Sequence, residues 1–294
     1  MRNSIFLLFI LVSSSILQAQ DYSGLRELGN HHTKVYFSEG YQGRADSIAT
    51  RVDSGMAFYK TLLGTSPQVT LLVLSANDWS KHTSMPVMGM PHYKDDSVLV
   101  VAAHDNEFWR SFIPKLDELP TEMANKIKST YVDAEGKLTM QPFFDLLALH
   151  ELGHAFHMQF DINMQRKWLS ELFVNMLLHT YIAEKEKEVL PALTVFPQMV
   201  IGIGTKGFQY TSLKDVHEKY TEIGSQHPRN YGWYQCRWHA AAANIYDDEG
   251  KNAVVLLWNA LKSQKKSLGD EELISYLRKQ GVKGVVRMIQ NWDE

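Results

Sequence analysis

Residues 150–154 read His-Glu-Leu-Gly-His, and this pentapeptide combines side chains that can hold a metal ion and move a proton. Residues four apart on an α-helix lie one turn apart on the same face, so His150 and His154 can direct two imidazoles at one ion. Glu151 lies beside them and can reach a water at an open metal position without ligating the metal. Zinc suits such a site and lowers the pKa of its water to near 7. The motif therefore predicts zinc-assisted hydrolysis with Glu151 as general base.

A third metal ligand is predicted at Glu171. The segment 167–179 repeats apolar side chains at helical spacing, and Glu171 falls on or beside that apolar stripe. A carboxylate buried there needs a cation, which zinc would supply. Asn175 follows one turn later and could hydrogen-bond a zinc-bound histidine or Glu171. The polar stretch 159–166 between the two motifs is predicted to be a turn that joins two antiparallel helices.

The pattern H-E-L-x-H followed by W-L-x-E resembles the gluzincins, a group of zinc peptidases in the zincin clan that includes thermolysin-like and aminopeptidase-like members. The resemblance covers about residues 140–180. It implies that His150, His154 and Glu171 are the zinc ligands and that Glu151 is the general base. It also implies a zincin-like fold, in which an α/β lobe precedes the active helix.

The chain departs from the gluzincin pattern after the glutamate, where Leu172 and Phe173 stand in place of the usual glycine and alanine. The separation between His154 and Glu171 is also slightly shorter than in the best-known branches. Metzincins fit less well, because His157 occupies the position at which they need glycine. His157 shares the face of the two motif histidines but lies about 10 Å along the helix from His150, too far for one ion to bind all three. We interpret it as a partly buried histidine or a pocket residue.

Peptide hydrolysis also needs a donor for the negative oxygen of its tetrahedral species. The aromatic segment 231–239 is the best source, because related peptidases have a tyrosine at the start of a comparable helix. Tyr234 resembles that tyrosine best and is the predicted oxyanion donor. Tyr231, His227 and His239 remain alternatives, and an aromatic core helix without a catalytic role is equally compatible with the pattern.

The elements around these motifs predict an α+β fold. Residues 21–140 are expected to form an α/β lobe with a mixed sheet, because strands at 34–37, 69–74 and 97–102 accompany an amphipathic helix over 44–63. Residues 141–187 would form the zinc-binding helix pair, and residues 188–294 a mainly helical lobe. Within that last lobe, the stretch 189–230 contains prolines and glycines and is expected to be less regular.

Residues 1–20 predict a secretory signal peptide, because one positive charge at Arg2 precedes a short apolar run and small residues follow it. We therefore expect an exported protein, secreted or periplasmic. The net charge of −3 argues against a strongly basic nucleic-acid binder. No later stretch reaches the length of a transmembrane helix. The single cysteine, Cys236, excludes an internal disulfide, and we interpret it as a small packing residue.

Together these features predict an exported zinc-dependent peptidase whose partner is a peptide or protein substrate. A rival hypothesis is a non-catalytic zinc-binding protein that recognises a partner on the same scaffold. Hydrolysis of a non-peptide amide is a third possibility. Glu151 favours an enzyme, because a structural zinc site needs no general base and usually has four protein ligands. Substrate specificity and oligomeric state do not follow from the residues.

Overall fold

The computed structural model describes residues 22–294 and shows an α+β fold in which helices surround a small mixed sheet. The signal peptide predicted for residues 1–20 lies outside the described residues. In chain order the strands are β1 (Arg26–Leu28), β2 (Lys34–Phe37), β3 (Thr70–Leu74), β4 (His92–Tyr93) and β5 (Val98–Ala102).

The helices of the described residues fall into two groups. Those up to the H-E-x-x-H motif are α1 (Gln42–Leu63), α2 (Ala76–His82), α3 (Glu107–Arg110), α4 (Thr121–Thr130), α5 (Gln141–Phe144) and α6 (Leu147–Gln159). Those after it are α7 (Lys167–Lys185), α8 (Leu190–Ile203), α9 (Leu213–Glu218), α10 (Tyr220–Gln226), α11 (Pro228–Glu249), α12 (Asn252–Ser263), α13 (Asp270–Lys279) and α14 (Lys283–Gln290).

The sheet has the strand order β1-β2-β3-β5-β4. Its three central strands, β2, β3 and β5, are parallel, and the two edge strands are antiparallel to their neighbours. Every residue of β5 and the last four of β3 are buried. Such continuous apolar runs are expected when both faces of a parallel sheet are covered.

The structure confirms the predicted strands at 34–37, 69–74 and 97–102 to within a residue, and it confirms the helix that ends at Gly64. Gly64 adopts a left-handed conformation, with φ of 73°, and its N–H bonds the Lys60 carbonyl. The expectation of a less regular stretch over 189–230 is wrong, because α8, α9 and α10 occupy most of it. Edge strands β1 and β4 were not predicted, since two or three residues are too few to show an alternating pattern.

Helix α6, which carries the H-E-x-x-H motif, packs against α1 on one side and α7 on the other. A glycine lies at each contact. A Cβ atom at Gly55 of α1 would lie 2.5 Å from a Leu149 methyl, and one at Gly153 of α6 would lie 3.0 Å from Val174 Cβ. Because only glycine permits such close approach, the three helices come together tightly enough for side chains of α6 and α7 to share one site.

Helix α11 packs against α7 and α8 and completes the core on the far side of the site. Its buried face includes aromatic residues such as Trp233 and Trp238, which are almost inaccessible to solvent. None of the helices of residues 22–294 is both long and apolar enough to cross a membrane.

Candidate metal centre

The side chains of His150, His154 and Glu171 converge at the contact between α6 and α7. His150 Nε2 lies 3.3 Å from His154 Nε2 and 3.3 Å from Glu171 Oε2. His154 Nε2 lies 3.8 Å from the same carboxylate oxygen. His150 and Glu171 are each 6% exposed, and His154 is partly buried. The three residues predicted as ligands are therefore brought together as a group that could hold a metal ion.

Hydrogen bonds on the outer nitrogens determine what the two histidines present to the centre of this group. His150 Nδ1 lies 3.0 Å from the side-chain oxygen of Asn175, which can only accept, so this nitrogen carries the proton. His154 Nδ1 lies 2.8 Å from His157 Nε2. When both outer nitrogens donate, both Nε2 atoms turn a lone pair towards the Glu171 carboxylate. Three acceptors that face one another in a buried site need a metal ion or a proton between them.

The separations also fit a coordination geometry. Ligand atoms about 2.0–2.2 Å from a tetrahedral ion lie about 3.3–3.6 Å apart. The observed separations of 3.3, 3.3 and 3.8 Å are close to that range. Within residues 22–294, no fourth histidine, cysteine or carboxylate belongs to the group. One tetrahedral position would thus be open to a water or a substrate.

Glu171 is held in place from helices that lie far from it in the sequence. Tyr220 of α10 donates to Glu171 Oε1 at 2.6 Å, and Gln235 of α11 donates to Oε2 at 2.9 Å. Burial acts to raise the pKa of Glu171, but the nearby histidines and the Tyr220 hydroxyl outweigh it and hold that pKa well below the usual range. Burial likewise acts to lower the pKa of His150, but the hydrogen bond and charge of Glu171 outweigh it and raise that pKa. Without a metal, the two residues therefore form a buried ion pair.

Glu151 does not belong to the ligand group but lies in its electrostatic field. Burial and the charge of Glu171 raise the pKa of Glu151 to about 7, against an opposing effect of His150. A carboxylate with a pKa near neutrality is well matched to taking up and releasing a proton at physiological pH.

His157 is a hydrogen-bond partner of a ligand and does not join the ligand group. Its Nε2 atom lies 2.8 Å from His154 Nδ1 and 2.9 Å from Ser170 Oγ. Burial is the largest of the effects that lower its pKa to about 4, so the ring is neutral at pH 7 and can accept a hydrogen bond from its neighbours. It can thereby fix which nitrogen of His154 would face a bound metal.

The structure does not bring Tyr234, the predicted oxyanion donor, to this centre. Its hydroxyl donates to the Ser212 carbonyl at 2.8 Å, and its ring stacks between Trp238 and Trp292. It belongs to the aromatic core because residues three and four apart on α11 share the face that packs inward.

Tyr231, which the sequence also allows as the donor, is the tyrosine of α11 that reaches the centre. Its hydroxyl lies 2.8 Å from the Tyr220 hydroxyl and accepts from Gln235 Nε2 at 2.8 Å. Burial and the charges of Glu171 and Glu151 help to raise its pKa far above 10, so it remains a donor.

The two candidate donor histidines, His239 and His227, do not belong to the ligand group. His239 is buried with its ring 6.2 Å from that of His150, and burial is the first of the effects that lower its pKa to about 3. His227 packs edge-on against Tyr210.

Two residues of the centre, Tyr220 and Gln235, were not predicted from the sequence. Gln235 follows Tyr231 by one helical turn, and that spacing could have identified it once the polar face of α11 was recognised. Tyr220 has no comparable signal, because it lies in a different helix and is placed only by the packing of α10 on α11.

A surface cavity of about 530 Å³ lies elsewhere, where α9 and α13 meet the C-terminal residues. Its lining includes His217, Glu218 and Asp270, but these do not form a group that could hold an ion. This cavity therefore does not coincide with the ligand group, and among residues 22–294 only the α6–α7 contact offers a group that could hold a metal ion.

No protein-family model matches this chain, and no curated protein matches it either. What the centre can do therefore follows from its own geometry and chemistry.

Proposed function

We propose that this protein is an exported zinc-dependent peptidase with a gluzincin-type site on a zincin-like fold. The observation that carries the proposal is the buried group of two histidines and one glutamate, with Glu151 adjacent to the first histidine on the same helix. The paired motifs on α6 and α7 support the family, and the sequence of residues 1–20 supports export.

The donor set favours zinc over other common metals. Two imidazole nitrogens and one carboxylate oxygen are typical zinc ligands, whereas calcium and magnesium prefer sites made of oxygen alone. The ligand separations are close to those of a four-coordinate ion, and three protein ligands are typical of a catalytic site. When bound, zinc would act as a Lewis acid and lower the pKa of a water.

In this proposal Glu151 moves the proton. It takes a proton from the attacking water as the water adds to the scissile carbonyl, and it then gives that proton to the departing amine. Without a metal, burial and the charge of Glu171 raise the pKa of Glu151 to about 7. A bound zinc would lower this pKa and favour the charged carboxylate, the form that takes up the proton of the water.

Tyr231 is proposed to donate a hydrogen bond to the developing oxyanion. Gln235 donates to its hydroxyl. Tyr220 gives its own proton to Glu171, so the proton of Tyr231 points to the Tyr220 oxygen and would turn from there to the oxyanion. The high pKa of Tyr231 keeps that proton on the oxygen. A donor aimed in advance at the place where charge develops stabilises the transition state more than the substrate. Tyr231 thus takes the role that the sequence suggested for Tyr234.

The rival hypothesis of a non-catalytic zinc-binding protein has less support. Structural zinc sites usually have four protein ligands, and the described residues supply three. Such a site also gains nothing from a partly buried carboxylate at Glu151, whose desolvation costs free energy.

Metal content tests the first part of the proposal. Purified protein should hold about one zinc per chain, as three-ligand catalytic sites do. His150→Ala, His154→Ala and Glu171→Ala should each weaken zinc binding strongly, whereas His217→Ala should not change it, because His217 lies outside the group. Full zinc content in Glu171→Ala would show that the third ligand lies elsewhere.

Peptide digestion tests the second part. Wild-type protein should cleave members of a broad peptide library, and Glu151→Gln should keep its zinc but lose nearly all cleavage, because an amide cannot take up the proton. Glu218→Gln, at an exposed position on α9, is the matched control and should remain active. Absence of cleavage by wild type, together with equal partner binding by wild type and Glu151→Gln, would support the rival hypothesis.

A further inference from the structure

The two oxygens of the Glu171 carboxylate lie in different surroundings. Oε2 faces the imidazoles, 3.3 Å from His150 Nε2 and 3.8 Å from His154 Nε2, and accepts from Gln235 at 2.9 Å. Oε1 accepts from the Tyr220 hydroxyl at 2.6 Å. A carboxylate oxygen can accept about two bonds, so Oε2 could bind a metal ion as well as Gln235. One oxygen of Glu171 is thus directed to the ion site, and the other is held on a phenol.

The bond from Tyr220 is the last of a series of donors that point the same way. Tyr220 has one proton, and because the Glu171 carboxylate can only accept, that proton points to Oε1. The Tyr220 oxygen then accepts from Tyr231 at 2.8 Å, and the Tyr231 oxygen accepts from Gln235 at 2.8 Å. Donors aligned in one direction polarise and strengthen one another. The separation of 2.6 Å between Tyr220 and Oε1 is typical of a strong bond between a hydroxyl and a carboxylate.

Packing holds the Tyr220 ring in this place. The ring of Tyr231 meets it edge-on, with centroids 5.6 Å apart, and the Lys167 ammonium lies 5.5 Å from its centroid. Helix α10, which carries Tyr220, packs against α9 and α11 and is anchored by the fully buried side chain of Ile223. The hydroxyl is therefore presented to Glu171 from a packed helix.

Loss of the Tyr220 hydroxyl would leave Oε1 as a negative atom without this donor. Glu171 is only 6% exposed, so water would have little access to replace the lost bond. A buried charge without a partner is costly, and a zinc ion on Oε2 would be an adjacent positive charge. Zinc can accept a fifth ligand. Oε1 would therefore turn to the ion and crowd the position that a water or a substrate needs.

We propose that Tyr220 is a positioning residue that restricts Glu171 to one metal-binding oxygen and so keeps the fourth position of the ion open. The inference rests on the proposed zinc-dependent function. Gln235 cannot take this role, because its amide donates to Oε2 and to Tyr231 and not to Oε1.

Crystal structures of the zinc-loaded proteins test the inference directly. In wild type, Oε2 alone should lie at the zinc–oxygen bond length of about 2.0–2.2 Å, with Oε1 still bonded to Tyr220. In Tyr220→Phe, which keeps the ring and should keep its zinc, both oxygens of Glu171 should bind the ion. Tyr231→Phe is the matched control. It removes a hydroxyl from the same series but leaves the donor of Oε1, so Glu171 should still bind through Oε2 alone.

Acetohydroxamate, a zinc-binding probe that needs the open position, supplies a measurement in solution. Its dissociation constant from the zinc-loaded protein, measured by calorimetry, should rise on the order of 10-fold in Tyr220→Phe, because the probe must displace Oε1. Tyr234→Phe, whose hydroxyl bonds the Ser212 carbonyl, should bind the probe as wild type does.

The Tyr220 inference alone would be overturned if both oxygens of Glu171 bound zinc in wild type, or if Oε2 alone bound it in Tyr220→Phe. An unchanged probe affinity in Tyr220→Phe would also overturn it. So would loss of zinc from Tyr220→Phe at excess zinc, because a freed Oε1 should help to hold the ion. If wild type binds no zinc, the proposed function fails and the Tyr220 inference fails with it.

Discussion

Gly153 lies inside the H-E-x-x-H motif, and replacing it with alanine should weaken metal binding without removing a ligand. A Cβ atom there would lie 3.0 Å from Val174 Cβ, 3.1 Å from its Cγ1 and 3.3 Å from its Cα. Carbon atoms in contact are ordinarily about 3.5–4.0 Å apart, so α6 and α7 would have to separate by about half an ångström. Glu171 lies one turn before Val174 on α7 and would move with it, away from His150 and His154.

Two opposing effects determine the stability of Gly153→Ala. Alanine gains about 1 kcal/mol over glycine in a helix interior. Overpacking costs about 1–3 kcal/mol, so the net loss in free energy of unfolding should be about 0–2 kcal/mol. Metal sites need ligands held within about 0.5 Å, so the zinc dissociation constant should rise about 10-fold, or about 1.4 kcal/mol.

Chelator competition measures zinc affinity, and denaturant unfolding of the metal-free protein measures stability. Gly232→Ala is the matched control, because a Cβ atom at this position of α11 would meet nothing within 4 Å. It should stabilise the fold by up to about 1 kcal/mol and leave zinc affinity unchanged. If Gly153→Ala behaves like this control, the close approach of α6 and α7 is not what brings Glu171 to the histidines.

Three further predictions concern the oxyanion donor, the partner of His154 and the pH dependence of stability. Tyr231→Phe should lower kcat on the order of 10²-fold with little change in KM, as for other single oxyanion donors. Tyr234→Phe should leave both kcat and KM nearly unchanged. Steady-state kinetics of the two variants on one peptide decides which tyrosine is the donor. His157→Leu should weaken zinc binding about 10- to 100-fold. His157→Gln should recover part of this loss, because the amide oxygen can still accept a hydrogen bond from His154. Equal zinc affinities of the wild type and His157→Leu in chelator competition would contradict this role. Burial acts to raise the pKa of Asp53, but hydrogen bonds from Thr33 and its neighbours outweigh burial and lower this pKa. The charged carboxylate therefore stabilises the fold above the unfolded pKa of about 3.9. This stabilisation is lost as the pH falls through the lower pKa of the folded state. Asp53→Asn should therefore cost about 1–3 kcal/mol at pH 7, and the cost should shrink below about pH 4; denaturant unfolding at several pH values that shows a constant difference would exclude this explanation.

The sequence was sufficient for the elements whose cause is local. The amphipathic stripe of α1 and the apolar runs of β3 and β5 follow from periodicity and buried composition, and the structure has them where they were expected. The pairing of His150 with His154 is also local, because four residues along a helix always place two side chains on one face.

Tertiary structure decided which distant residues join these histidines. Tyr231 and Tyr234 have the same chemistry and lie three residues apart, so no property of the phenols distinguishes them. The packing of α11 turns Tyr234 into the aromatic core and Tyr231 towards Glu171. Tyr220 reaches Glu171 across 49 positions of sequence, through the packing of α10, and nothing in its own segment indicates that contact. Spacing within one helix thus determined the pair of candidate ligands, whereas the residues that orient the third candidate, Glu171, depended on how separate helices pack.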